Sequence, residues 1–325
     1  MMRLLSILLL LAPGSHADDA CAVDPWIKPG RAAERVPARL FAPYVAPQPA
    51  KRAAKTSIVF VHISKSAGST MKKALALAAR RTNRRPPITL FRRTWPRFLA
   101  ACAKGRAACR ADLYAGTNAF GACELIEAAA RRRGEDRRCV YATVLRNPID
   151  RVESSWRYFC LNGAERRKGW TTAMKRAGRC SYSLERWAQT QSMLSVLELS
   201  TNQAPVARAA PANQSLGCAP LADGPASVRR RPQAYLEAAL ANVVGPDAPV
   251  RAVVVEDLAD GLRLLAHELD LPLSATHAAS VENAGAGARA GAVERAAAAG
   301  ALALEVKLYE RVRVDAVRRA SALGL

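Results

Sequence analysis

The sequence predicts an α/β fold, one domain with a mainly parallel central sheet flanked by helices. Three observations predict it. Short apolar runs rich in β-branched residues stand at "SIVFVHI" (57–63), "RCVYATVLRNP" (138–148) and "VRAVVVEDL" (250–258). Each run is followed by a segment with helical spacing of its apolar residues. The runs are continuous rather than alternating, as in strands covered on both faces.

In chain order, the first segment is a leader. "MMRLLSILLLLAPGSHA" has one arginine, an apolar run and then small residues, the layout of a secretory signal over 1–17 with a cut after Ala17. Its apolar run is shorter than the roughly 20 residues a membrane span needs, so no spanning helix is expected unless the signal stays uncleaved as an anchor. Residues 18–55 hold six prolines among small and basic residues and read as a stem or linker. The folded domain is expected over 56–325. Within it, 71–81 reads as a helix after the first strand, and "RFLAACAKG" as a short one. "DLYAGTNAFGACELIEAAARRRG" reads as a turn followed by a helix ending at Gly134. The second strand stops at Asn147-Pro148, and a helix follows from Ile149 to Phe159. Helices are then expected over 182–199, after Pro232 and after the third strand. A loop is expected over 201–232. The C-terminal stretch from Ala292 reads as helical with a break near Gly300.

The formal net charge is +22 over 325 residues, and the arginines come in runs such as Arg80-Arg81, Arg84-Arg85 and Arg131 to Arg133. This balance favours polyanionic partners over neutral ones. A secretory route turns that expectation away from nucleic acid and toward acidic polysaccharide. It also places the eight cysteines in an oxidising compartment, where disulfides form. Cys102 with Cys109 and Cys160 with Cys180 would close short local loops. None of the cysteines has CxxC spacing, so no metal site is expected.

Two loops carry the chemistry. "HISKSAGST" (62–70) follows the first strand and opens a helix. Its small residues let backbone amides approach an anion, the helix start adds a positive dipole end, and Lys65 adds a point charge. It lacks the GxxxxGK[ST] pattern of the common nucleotide loop. "RNPIDRVESSW" (146–156) follows the second strand. Arg146 can grip a phosphate bidentately, and Ser154 lies on the helix behind it. Arg151 is expected to pair with Asp150 or Glu153, or to support the loop. Parallel α/β sheets bind ligands at the carboxyl ends of their strands, where both loops lie.

In order and context these motifs resemble those of the sulfotransferase superfamily, specifically the secretory-pathway carbohydrate sulfotransferases related to heparan sulfate 2-O-sulfotransferase. That family has a first motif like "HIPKTAGTS" and a second like "RDPxxRxxSxY". A softer likeness covers 253–271, a strand with an acidic end and then a helix. The resemblance implies a P-loop-kinase-like sulfotransferase domain in the Golgi lumen or secreted. It implies 3′-phosphoadenosine 5′-phosphosulfate (PAPS) as co-substrate, with no metal. Lys65, Ser66, Ala67, Gly68, Ser69 and Thr70 would hold the 5′-phosphosulfate. Arg146 and Ser154 would hold the 3′-phosphate. The acceptor would be a hydroxyl of an acidic or sulfated polysaccharide.

The family's usual base is a histidine in a segment like "GHFPFG". Here "GTNAFGACELI" (116–126) stands there, with Thr117 at the histidine's place. The candidates for the base are then Glu124, His62 and Asp112, with Lys65 as the catalytic cation. Glu256 ends a strand and suits a structural role. Two alternatives to a carbohydrate sulfotransferase stay open: a non-catalytic, secreted polyanion-binding protein that keeps the fold, and a protein-tyrosine sulfotransferase.

Overall fold

The computed structural model describes residues 42–49, 53–90, 94–117, 119–160, 175, 178–189, 191–205, 231–273 and 290–325. The expected leader, most of the expected stem, Cys21 and Cys218 lie outside them. Among the described residues, no helix is long and apolar enough to cross a membrane.

The three expected strands form, and two short ones join them. In order the elements are β1 (Lys55–Val61), α1 (Gly68–Arg81), β2 (Ile88–Thr89), α2 (Trp95–Ala103), β3 (Leu113–Gly116), α3 (Ala122–Arg131), β4 (Arg137–Leu145) and α4 (Pro148–Cys160). Then follow α5 (Leu184–Gln189), α6 (Leu194–Ser200), α7 (Pro232–Val243), β5 (Val250–Val254), α8 (Leu258–Leu269), α9 (Ala292–Ala301) and α10 (Ala303–Ala322). The helix expected over 182–199 is thus two helices, and the C-terminal break falls at Leu302. β3 is a correction to the turn expected there, and β2 lies in a stretch for which no element was expected. β2 is two residues long, and the "LYAG" of β3 lacks a β-branched residue. Both pair because a strong neighbour, β1, supplies the template for β3, and β3 for β2.

The sheet is parallel throughout, in the order β2-β3-β1-β4-β5. Side chains of each strand alternate between two cores. Val59, Val61, Tyr141 and Val254 pack with α2, α3, α6 and α7 on one face. Ile58, Phe60, Val140 and Val144 pack with α1 and α8 on the other. From β1 the chain moves toward the β2 edge, and from β4 toward the β5 edge. The switch point of the sheet therefore lies between the carboxyl ends of β1 and β4, where a parallel sheet opens a crevice.

Among the described residues, three disulfides link Cys102–Cys109, Cys123–Cys139 and Cys160–Cys180. The first and third are the local loops expected from spacing.

Within the expected stem, residues 42–49 are packed onto the domain. The Tyr44 amide donates to the Ser200 carbonyl, and Ala46 is buried. Fully buried Asn242 holds this segment in place. Its Oδ1 accepts the Ala46 N–H at 2.8 Å, and its Nδ2 donates to the carbonyls of Tyr44 and Leu199 at 2.8 and 2.7 Å. Asn242→Ala would orphan three backbone groups, two of them buried. It should lower unfolding free energy by roughly 2–4 kcal/mol and expose 42–49 to proteolysis. Denaturant unfolding and limited digestion check this; an unchanged midpoint would contradict it.

Candidate functional site

The loop after β1 is shaped by backbone conformation. Lys65 (φ 66°) and Ala67 (φ 51°) both take the left-handed region, which costs a non-glycine residue about 1 kcal/mol or more. The Ser66 amide donates to the Ile63 carbonyl, and the His62 amide donates to the Gly116 carbonyl, tying the loop to the end of β3. α1 then begins at Gly68 with no side-chain cap and no acidic residue in its first turn. Its leading N–H groups and positive dipole end are left for an external anion. The buried Ser66 hydroxyl beside them has no hydrogen-bond partner among the described residues.

Gly68 is dictated by a neighbour. A Cβ there would stand 1.7 Å from His62 Nε2. The imidazole thus backs the loop and stacks along Phe60. Burial, and then the charges of Lys72 and Lys65, lower the His62 pKa from 6.5 to about 3. His62 is a neutral ring at physiological pH. Lys72 is itself pushed down by burial.

The second loop leaves β4, the strand beside β1. Asn147 caps α4, its Oδ1 accepting the Ile149 and Asp150 amides at 3.0 and 3.4 Å, and Pro148 takes the first helical position. The Asn147 amide donates to Glu256 Oε1 at 2.9 Å, so the carboxylate that ends β5 holds this loop. Arg146 is half-buried and makes no hydrogen bond or ion pair among the described residues.

The two loops meet through α4. Lys65 Nζ sits 3.8 Å from the centroid of the Tyr158 ring, a cation–π contact. Ser154 lies one turn earlier on that face of α4. Lys65 thus touches Tyr158, with Ser154 one turn before Tyr158 on α4 and Arg146 at the adjoining strand end. Sequence reasoning missed Lys72 and Tyr158. The signal was spacing: Lys72 stands four residues after Gly68, and Tyr158 four after Ser154.

Arg151 is a correction. It is buried and turns inward, 3.5 Å from Glu305 of α10, and donates to the side chain and carbonyl of Gln191. Asp150 and Glu153 instead bind Arg295 of α9 at 2.7 and 2.8 Å. No local pattern could show partners this far along the chain.

The candidate bases are scattered. Thr117 is half-buried at the carboxyl end of β3. Glu124 receives the hydroxyls of Tyr44 and Tyr141 at 2.6 and 2.7 Å, one on each oxygen. Burial and the Glu124 carboxylate push both phenols up. The residue beside it, Cys123, is bonded to Cys139, the third residue of β4. That is about 20 Å of strand short of the Arg146 loop. Asp112 lies at the opposite end of β3 and pairs with Arg137 at 3.2 Å. A cavity of about 210 Å³ lined by Ala46, Val244 and Pro249 also lies at the strands' amino ends.

Compared with known proteins, the chain matches no family profile and no curated protein.

Two predictions follow from His62. Gly68→Ala should displace the imidazole and weaken anion binding at the loop at least tenfold, measured by titration with inorganic sulfate or an adenosine bisphosphate. His62 binds its proton less readily folded (about 3) than unfolded (6.5). The unfolded state thus takes up the proton first as pH falls, and stability drops between about pH 6.5 and 3. His62→Gln should flatten the melting temperature against pH in that window.

Proposed function

We propose that this protein is a PAPS-dependent sulfotransferase acting on a hydroxyl of a polysaccharide acceptor in the secretory pathway, with the Golgi lumen as the expected compartment. The observation that carries the reading is the meeting of the two loops at the switch point. Lys65 rests on the Tyr158 ring of α4, beside an uncapped helix start, and Arg146, just past the end of the neighbouring strand, has no partner among the described residues. The three disulfides and the absence of a spanning helix among the described residues are compatible with a lumenal or secreted protein.

The residues suit the donor. The orphaned Ser66 hydroxyl and the first amides of α1 suit a phosphosulfate, and Arg146 with Ser154 suits a second phosphate. In the reaction the acceptor oxygen bonds to sulfur as the bond from sulfur to the bridging phosphate oxygen breaks. Adenosine 3′,5′-bisphosphate leaves, and the hydroxyl proton is lost to a base or to water. Negative charge grows on the leaving phosphate, where Lys65, Lys72 and the loop amides would stabilise it.

A second reading, a polyanion-binding protein that keeps the fold without catalysis, is favoured by one observation: Glu124 is engaged by two tyrosines away from the loops. A tyrosine-sulfating enzyme would share the donor site and differ in acceptor.

Purified protein should transfer labelled sulfate from PAPS to polysaccharide, with tyrosine peptides as the comparison acceptor. Lys65→Ala should cut the rate about 10²–10³-fold. Arg146→Ala should weaken adenosine 3′,5′-bisphosphate binding roughly 10–100-fold. Tight bisphosphate binding with no transfer to any acceptor would favour the second reading. No bisphosphate binding would sink the first.

A further inference from the structure

The strands' amino ends, opposite the two loops, carry a second concentration of positive charge. α2 ends at Ala103 and α3 at Arg131, and both deliver basic residues here. Lys104, Arg106, Arg110, Arg131 and Arg132 are all exposed. The two segments touch: Arg132 Nη2 donates to the Cys102 carbonyl at 3.0 Å, and Arg110 reaches Glu135 at 3.3 Å, which also binds Arg133 at 2.7 Å. Lys104 and Arg106 have no acidic partner among the described residues, and Arg132 binds only a carbonyl.

Cations at helix ends offset the helix dipole, which accounts for Arg131 and Lys104. It does not account for Arg106, which stands beyond the last turn of α2. Two disulfides brace the surface. Cys102–Cys109 closes the loop that presents Lys104 and Arg106, and Cys123–Cys139 pins α3 to β4. A cationic loop held rigid loses little entropy on binding.

We propose that this disulfide-braced pole is a binding surface for a linear sulfated polysaccharide, separate from the loops that face the switch point. Four of the five exposed cations are arginines, whose planar forks suit sulfate and carboxylate groups. Among the described residues, the segments 102–110 and 131–137 that form the surface expose no large apolar side chain, so they have nothing to insert into a lipid layer. The surface does not depend on the donor reading, although the two share a class of partner.

The test titrates the full chain with heparin across a salt series, alongside phosphatidylserine vesicles. The four-site variant K104Q/R106Q/R131Q/R132Q should bind heparin at least tenfold more weakly and with a shallower salt dependence, because fewer counterions are released. Its unfolding midpoint and its adenosine 3′,5′-bisphosphate affinity should match the parent. Heparin binding within twofold of the parent overturns the proposal. So does tighter binding to vesicles than to heparin that the same substitutions abolish. Should the four-site variant fail to fold, Arg106→Glu alone gives the reading: at least threefold weaker heparin binding supports the surface, and unchanged binding overturns it. A protein that binds heparin through this pole but no bisphosphate would refute the sulfotransferase reading and leave this one standing.

Discussion

The pairing of β1 with β4 is the constraint on which the candidate site depends. Lys55 lies opposite Arg137, and the register runs without a break to Val61 opposite Thr143. Both strands are covered on both faces, so a slip of one residue would exchange the two cores and send Val59 and Val61 to the face built for Ile58 and Phe60. Near the carboxyl end the Thr143 hydroxyl donates to the Val61 carbonyl at 2.8 Å, a polar lock inside the sheet. With register fixed, the Lys65 and Arg146 loops must leave the sheet side by side. The connections leaving β1 and β4 run toward opposite edges of the sheet, which keeps the crevice between these strands open.

Strand pairing sets where the second loop starts but not how α4 is rotated. That rotation is fixed by buried polar contacts. Arg151 reaches Glu305 and Gln191, and Gln191 Nε2 donates to the Ser155 hydroxyl at 2.9 Å. Arg151 and Ser155 are one turn apart and face inward together. Burial works against both charges, lowering the Arg151 pKa and raising that of Glu305. Such a pair adds little net stability, yet losing either partner would strand a buried charge. It acts by orientation. With Arg151 and Ser155 turned in, Ser154 and Tyr158 form the adjacent stripe, and Tyr158 meets Lys65. On the other side, Arg295 grips Asp150 and Glu153 and closes α9 over the same helix.

What was legible in the sequence follows from how local each signal is. The three long strands and the helices after them were readable because continuous apolar runs and 3.6-residue spacing are properties of single segments. β3 was not, since "LYAG" has little strand preference and forms only against β1. The same division holds at the site. The loop positions of Lys65, Gly68 and Arg146 after β1 and β4 were readable, and Cys102 with Cys109 as a short closure. The bond between Cys123 and Cys139 needed the fold, as did the partners of Arg151 and Glu124. Tyr44 is the clearest case. In a proline-rich stretch it carried no signal at all, yet its hydroxyl holds Glu124 and its backbone holds Asn242.

The position of the base is the last step, and it turns on which groups near the strand ends are committed elsewhere. Asp150 and Glu153 are bound to Arg295, and Glu256 accepts the Asn147 amide. Glu124 is bound to two tyrosines, and His62 lies behind the loop with its Nδ1 buried and unpartnered. A ring whose pKa is lowered to about 3 is also a weak proton acceptor. The cations, by contrast, converge on the loops. If sulfuryl transfer is the reaction, this distribution puts the catalytic effort on the leaving group rather than on the attacking hydroxyl. Lys65, Lys72 and the start of α1 can stabilise charge as it forms on the phosphate, and they are already oriented before it forms. His62 then contributes through position: its bulk fills the space under Gly68 and backs the loop whose amides would face that phosphate.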